Sequence, residues 1–329
     1  MKNILVTGGA GYIGSVLVKF LVNKKLNVCV VDNLSNGKRF LVNKKAKFYK
    51  CDILNKTKIK NILLRNKIDT IVHLASLINV QDSLKKPKKY FRNNFIGTKN
   101  LLSAVENSLV EKIIFSSSCA VYKEKRNTKA KLNEKSIINP TSVYGKLKFK
   151  TEKLIKAFCK KKKLKYIILR YFNVVGANND QKPYLGQTNN LGQLFQNVSL
   201  HLLDKINVFK IYGNNYSTKD GTCIRDFIHV KDLAEIQYLS IKYIDRKNKD
   251  EVFNCGYGKG YTVKEVIKNF EKVAKKKTIL KIMPRRKGDV VSAICDNKKI
   301  LNYLNWKPRY SNLNIMVRDT FKWFKYYKK

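Results

Sequence analysis

The chain has 329 residues, 44% of them hydrophobic and 11% aromatic, with 69 basic against 23 acidic side chains and a formal charge of +46. That apolar content excludes an intrinsically disordered chain, the length suits about two domains with cores large enough to need no disulfide or metal staple, and the short, interrupted apolar runs exclude a membrane-spanning helix. Lysine supplies 58 of the basic residues, spread from end to end, which fits solvated faces and not the clustered arginine and aromatic residues of a nucleic-acid reader, so a nucleic-acid partner is not expected. Seven cysteines with no C-x-x-C pair, three scattered histidines and a start (MKNILVTGGAGYIG) without a signal-peptide pattern predict free thiols, no metal site and a cytoplasmic protein.

In chain order, Ile4 to Thr7 reads as a buried strand, followed by glycines and an amphipathic helix from Tyr12 to Val22. Val28 to Val31, closing at Asp32, Phe48 to Cys51, Thr70 to Leu74, Ile113 to Phe115 and Ile167 to Leu169 repeat the apolar run, with helical stretches between them. Short apolar strands alternating with helices predict an α/β fold, a Rossmann-type doubly wound parallel sheet covered on both faces. After Asn173, Gly, Asn and Pro become frequent. The expected division is therefore a sheet domain over 1–172 and a smaller mixed α/β domain over 173–329, with roughly 225–250 returning to the first.

Gly8, Gly11 and Gly14 follow the first strand and open the first helix. Without Cβ atoms there, a pyrophosphate can approach the free N–H groups of the helix N-terminus. Asp32 ends the next strand, where a carboxylate accepts the adenosine ribose hydroxyls and repels a 2′-phosphate. Lys38 and Arg39 point weakly the other way, so the expected cofactor is NAD. Tyr144 and Lys148 lie four apart on a predicted helix from Ser142 to Lys163, sharing a face. An ammonium there lowers the phenol pKa toward use as a base. Spacing alone says little: random placement gives about three Tyr–Lys pairs at i, i+4, and four occur, at Tyr144, Tyr238, Tyr243 and Tyr303. Only Tyr144 comes after a strand that ends in Ser116-Ser117-Ser118, at the sheet edge where such folds bind ligands.

Long blocks, VTGGAGYIGS (6–15), VDNLSNGK (31–38), FSSSCAVY (115–122), YGKLK (144–148), LRYFNVVGA (169–177), YGNNYSTKDGTCIRDFIHVKDLA (212–234) and PRRKGD (284–289), together resemble the extended short-chain dehydrogenase/reductase superfamily and, within it, the UDP-glucose 4-epimerases. The resemblance implies that Asp32, Asn33, Asp52 and Ile53 hold the adenosine half of NAD, with Gly8, Gly11, Tyr12, Ile13 and Gly14 at the pyrophosphate. Tyr144 and Lys148 would hold the nicotinamide ribose, and Leu74, Ala75, Asn93, Ser116 and Phe172 would also contact the cofactor. Ser118, Tyr144, Phe172, Asn173, Asn190, Tyr212, Arg225, Arg286 and Asp289 would surround a UDP-sugar, the guanidinium forks suiting a diphosphate. Ser118, Tyr144 and Lys148 would be catalytic in a transient oxidation at sugar C4, and the helices around Lys99–Val105 and after Tyr144 would pair in a homodimer.

Departures from the family pattern sharpen the expectations. Ile78 stands where the family carries a lysine. Ala293 stands where strict UDP-galactose enzymes carry a bulky tyrosine, which makes room for an N-acetyl group and extends the expected substrates to UDP-GlcNAc and UDP-GalNAc. A dehydratase is disfavoured because Ser118, Cys119 and Ala120 replace the Thr-Asp-Glu run that elimination uses. A uronic-acid 4-epimerase or decarboxylase of the same fold remains the alternative.

Overall fold

The computed structural model describes residues 2–123, 130–188, 192–286 and 289–327. Six parallel strands come first: β1 (Asn3–Thr7), β2 (Asn27–Asp32), β3 (Lys47–Lys50), β4 (Thr70–His73), β5 (Lys112–Ser118) and β6 (Lys165–Tyr171). Helices α1 (Tyr12–Asn23), α2 (Lys56–Arg65), α3 (Val80–Lys85), α4 (Pro87–Tyr90), α5 (Gly97–Ala104) and α6 (Val143–Lys162) connect them, with a π-helical stretch over Phe91–Ile96 between α4 and α5. Successive side chains of a strand face opposite ways, and the strands use this consistently. Ile4, Val6, Val28, Val30, Val72, Ile114, Ile167 and Leu169 pack in one core with α1, while Leu5, Cys29, Val31, Ile71, Ile113, Phe115 and Ile168 pack on the other face with α2, α5 and α6. Apolar runs without polar alternation are what a sheet covered on both faces requires.

The later elements are β7 (Asn173–Val175), α7 (Leu194–Leu202), β8 (Phe209–Tyr212), β9 (Ile224–His229), α8 (Val230–Lys247), β10 (Glu251–Cys255), β11 (Gly260–Thr262), α9 (Val263–Ala274), β12 (Leu280–Met283), β13 (Ser292–Ala293), α10 (Lys298–Leu304) and α11 (Leu313–Tyr327). The large sheet runs β10-β6-β5-β4-β1-β2-β3, so the winding reverses between β1 and β4, and their carboxyl ends open the crevice where ligands bind in such sheets. The segment that rejoins the large sheet is α8, packed on α1, with β10 beside β6. β9 instead pairs with β7, β11 and β13 in a small sheet. Phe195, Val198, Val266, Phe270, Met316 and Val317 bring α7, α9 and α11 together in a core of their own.

Two helix ends follow from local chemistry. Ser142 caps α6 by accepting from the Gly145 amide at 3.0 Å, and Lys160 to Lys162 fill its last turn, where cations complement the helix dipole. All seven cysteines are free. Among the described residues, no helix is long and apolar enough to cross a membrane, and no group of His, Cys, Asp and Glu could hold a metal ion.

Candidate active site

A cavity of about 460 Å³ opens at the carboxyl ends of β1, β4 and β5, floored by Gly8, Gly11, Tyr12, Ile13 and Gly14. Backbone proximity explains the glycines. Gly8 has φ +72°, and a Cβ there would meet the Ala75 nitrogen at 2.8 Å; one on Gly14 would sit 2.2 Å from the Gly8 oxygen. Gly11, the N-cap of α1, offers no side-chain cap, so the first amides of the helix stay free for an anion.

At the far end of the cavity, Asp32 accepts the Ala10 amide at 3.0 Å and the Leu34 amide at 2.8 Å. Burial raises its carboxyl pKa against the pull of those two amides. Gly37 folds back so closely that a Cβ would lie 2.9 Å from Asp32 Oδ1. Asn33 and Ile53 line the cavity. Asp52 stands behind them, accepting from Asn33 Nδ2 and the Leu54 amide, each at 2.8 Å. The Arg39 guanidinium lies 4.6 Å over the Phe48 ring, an aromatic partner for the cation that hinted at NADP.

At the near end, Leu74, Ala75, Asn93, Ser116, Tyr144 and Lys148 converge. Lys148, 3% exposed, donates to the Ser116 carbonyl at 2.7 Å and sits 5.8 Å from the Tyr144 ring centre. Burial pushes Lys148 down to about 7, with the charge of Glu152 opposing. Tyr144 is pushed up by burial, its hydrogen bond with Ser118 pulling the other way. This corrects the expectation of an already acidic phenol: the ammonium is spent on a backbone carbonyl, and desolvation of the ring dominates. Ser118 also caps the turn Cys119–Val121, accepting from the Ala120 amide at 3.2 Å.

His73, directly behind, carries a hydrogen-bond chain whose direction is determined. Thr98 Oγ1 donates to the Asn94 carbonyl at 2.7 Å, so it accepts from His73 Nε2 at 2.9 Å. His73 Nδ1 then accepts from Thr7 Oγ1 at 2.7 Å, and Thr7 Oγ1 accepts the Ala75 amide at 3.3 Å. Burial with the charge of Lys148 lowers the imidazole pKa to about 3, which keeps the ring neutral and leaves Nδ1 able to accept. The π-helical turn places Asn93 on the cavity, while Asn94 bonds both backbone groups of Leu77, at 2.8 and 2.9 Å; such turns recur at functional sites.

Away from the cavity lining, Arg225 NH2 lies 3.5 Å from Asp289 Oδ1, and the Arg286 guanidinium stacks 3.8 Å over Tyr212. Ala293, buried, pairs in register with Arg225. Phe172 is buried with Val121 and Cys119. The Asn173 side chain donates to the Asp226 carbonyl at 3.0 Å. Asn190 lies outside the described residues.

Sequence reasoning missed Gly37, Tyr90, Tyr171, Gln187 and Thr188, all on the cavity wall. Tyr171 could have been found, since it is the β6 residue in register with Ser118. Gln187 and Thr188 sit in a loop held by Trp323 Nε1 of α11, which donates to the Gln187 carbonyl at 2.7 Å; nothing local signals that. Ile78 also lines the cavity, whose cationic walls among the described residues are Lys89 and Lys148.

A glycine turn, an uncapped helix N-terminus and a carboxylate closing the second strand define a dinucleotide-binding Rossmann protein, with a Ser-Tyr-Lys group at the sheet edge beside it. The profile of the NAD dependent epimerase/dehydratase family matches residues 4–256, and the chain belongs to this family. It is 37% identical to a UDP-glucose 4-epimerase of Lactobacillus helveticus, over 99% of this chain and 98% of the relative. The solved UDP-glucose-4-epimerase of Stenotrophomonas maltophila, with bound NAD and formylated UDP-arabinopyranose, superposes with a TM-score of 0.94 at 30% identity, covering 100% of this chain and 99% of that one. The UDP-Glc/GlcNAc 4-epimerase of Campylobacter jejuni gives 0.86 at 35% identity, covering 99% and 100%.

Proposed function

We propose that this chain is a UDP-sugar 4-epimerase that interconverts UDP-glucose and UDP-galactose with a resident NAD. The observation that carries the reading is the convergence of Tyr144 and Lys148 on the wall of a cavity fit for a dinucleotide, with Ser118 hydrogen-bonded to Tyr144. The cavity suits NAD: the bare helix amides face a pyrophosphate, and Asp32 would accept two ribose hydroxyls while disfavouring a 2′-phosphate. When bound, NAD supplies a reversible hydride store for sugar C4. Tyr144 takes the proton of the 4-hydroxyl, with Ser118 sharing it. Burial raises one member of the Tyr144–Lys148 pair and lowers the other. The pair therefore releases its first proton near the Lys148 value of about 7, and the phenolate–ammonium arrangement of the remaining proton is the working base. Arg225 and Arg286 hold the diphosphate while the keto sugar turns about it. Ala293 leaves space for an N-acetyl group, so UDP-GlcNAc and UDP-GalNAc are substrates as well.

Two units share the work in this reading: residues 1–172 with α8 and β10 hold the cofactor, and the remainder after Asn173 holds the sugar nucleotide. The helical face bearing Leu84 and Phe91, 43% and 38% exposed, with Phe95 stacked on Phe91 under Lys150, pairs with a second copy in a homodimer; a one-chain mass in light scattering would refute this. Seven free thiols suit the reducing cytoplasm. The direct test of the activity is incubation of purified protein, without added NAD, with UDP-galactose. UDP-glucose should accumulate to equilibrium, and Tyr144→Phe should lose about a thousandfold in kcat while retaining its nucleotide. Full turnover by that variant would overturn the base assignment.

A further inference from the structure

Behind the reactive pair lies a second, fully enclosed set of charges. Glu152 follows Lys148 by four residues on α6, the spacing at which helical side chains meet. Its carboxylate nevertheless points elsewhere. Arg170 of β6 grips it at both oxygens, Nε to Oε1 at 3.0 Å and NH2 to Oε2 at 2.7 Å, and the Ser117 hydroxyl donates to Oε1 as well. The side chains are 2% and 0% exposed. The guanidinium is itself fixed, its NH1 donating to the Tyr122 hydroxyl at 2.9 Å, which donates to Asn254 Oδ1 at 2.7 Å. An ion pair this deep costs desolvation that apolar packing would avoid, so its presence calls for a reason beyond stability.

We infer that Arg170 is a positioning residue for the reaction: by holding both oxygens of Glu152 it keeps that carboxylate off Lys148, leaving the ammonium on the Ser116 carbonyl beside Tyr144. The inference rests on the reading of Tyr144 and Lys148 given above. The other titratable groups facing the pair support it by being neutral near pH 7. Burial and Lys148 hold His73 of β4 at about 3, burial pushes Cys119 to about 11 and Tyr90, at the end of α4, to about 12, and Tyr171 at the end of β6 is pushed up by burial too. Asp82 and Lys89 stand farther out on the cavity wall. Glu152 is thus the buried charge that acts on the lysine, raising it against burial, and Arg170 pairs with that charge.

The test is the pH dependence of kcat with UDP-galactose, in the enzyme as purified with its own nucleotide. Arg170→Met frees Glu152 to pair with Lys148; the acid limb of kcat should move up by about one pH unit, and kcat at pH 7 should fall about fivefold with KM unchanged. Glu152→Gln leaves a lone guanidinium, and the limb should move down. Combining both substitutions removes both charges, and the limb should return to the wild-type position. An unmoved limb in both single variants, or a double variant no nearer wild type than Arg170→Met, overturns the inference. Should a single variant fail to fold, Ser117→Ala releases one Glu152 oxygen with the ion pair kept; its limb should rise by a smaller amount, and an unmoved limb is equally fatal. A dead Tyr144→Phe with unmoved limbs defeats this inference alone, whereas an active Tyr144→Phe defeats the reading beneath it.

Discussion

The two halves of the site are built from different materials. The cofactor half is mostly backbone: Gly8 and Gly14 touch neighbouring main chain, the N-terminus of α1 supplies bare amides, and the His73 chain fixes the backbone at Ala75 through Thr7. The half proposed for the sugar nucleotide relies on long side chains from short strands and loops, with Arg225 paired to a partly exposed Asp289 and Arg286 resting on Tyr212. Backbone contacts cannot be retuned by a single substitution without moving the fold, whereas a guanidinium can be lost and the scaffold kept. The division suits a reaction in which the dinucleotide stays put and the sugar must turn.

This contrast can be broken by substitution. Gly14→Ala forces a methyl group to within 2.2 Å of the Gly8 oxygen, so the nucleotide content of the purified protein and its turnover should both fall by at least about tenfold, read by absorbance and by assay. Should the variant keep a full complement of nucleotide, the backbone half is more pliant than its contacts imply. Arg225→Leu should raise KM for UDP-galactose about 10- to 100-fold through the loss of a charge-assisted contact, with bound nucleotide unchanged; equal loss of both would erase the division. Ala293→Tyr sharpens it further: turnover of UDP-GalNAc should drop by about tenfold or more, while UDP-galactose is spared. The mildest effect belongs to His73. Its folded pKa of about 3 lies below the ordinary value of 6.5, so between those values the unfolded chain binds the extra proton and stability falls as pH falls. Asp226, raised to about 7 by burial, opposes this between about pH 7 and 4. Denaturant titrations of His73→Gln should show a flatter loss of stability from pH 6.5 to 3, and an unchanged slope would mean the imidazole does not titrate on unfolding.

Much of this was legible beforehand because it is local. Val28 to Val31 could only be a doubly covered strand, and the glycines after Thr7 required a close approach. The Ser142 cap and the left-handed Lys163 end bounded the Tyr144 helix as its pattern suggested. What stayed hidden depends on distant pairing. That α8 and β10, but not β9, rejoin the large sheet is decided by the pairing of Phe253 with Leu169, which no window of sequence contains. The phenol was misjudged because spacing reports that a lysine is near, while the sign of the shift depends on how much water is gone and on where the ammonium donates.

The bond from Trp323 to Gln187 spans 136 residues, and through it a helix distant in the chain braces one wall of the cavity. Loosening that helix would therefore loosen the chamber wall, although the two lie far apart along the chain.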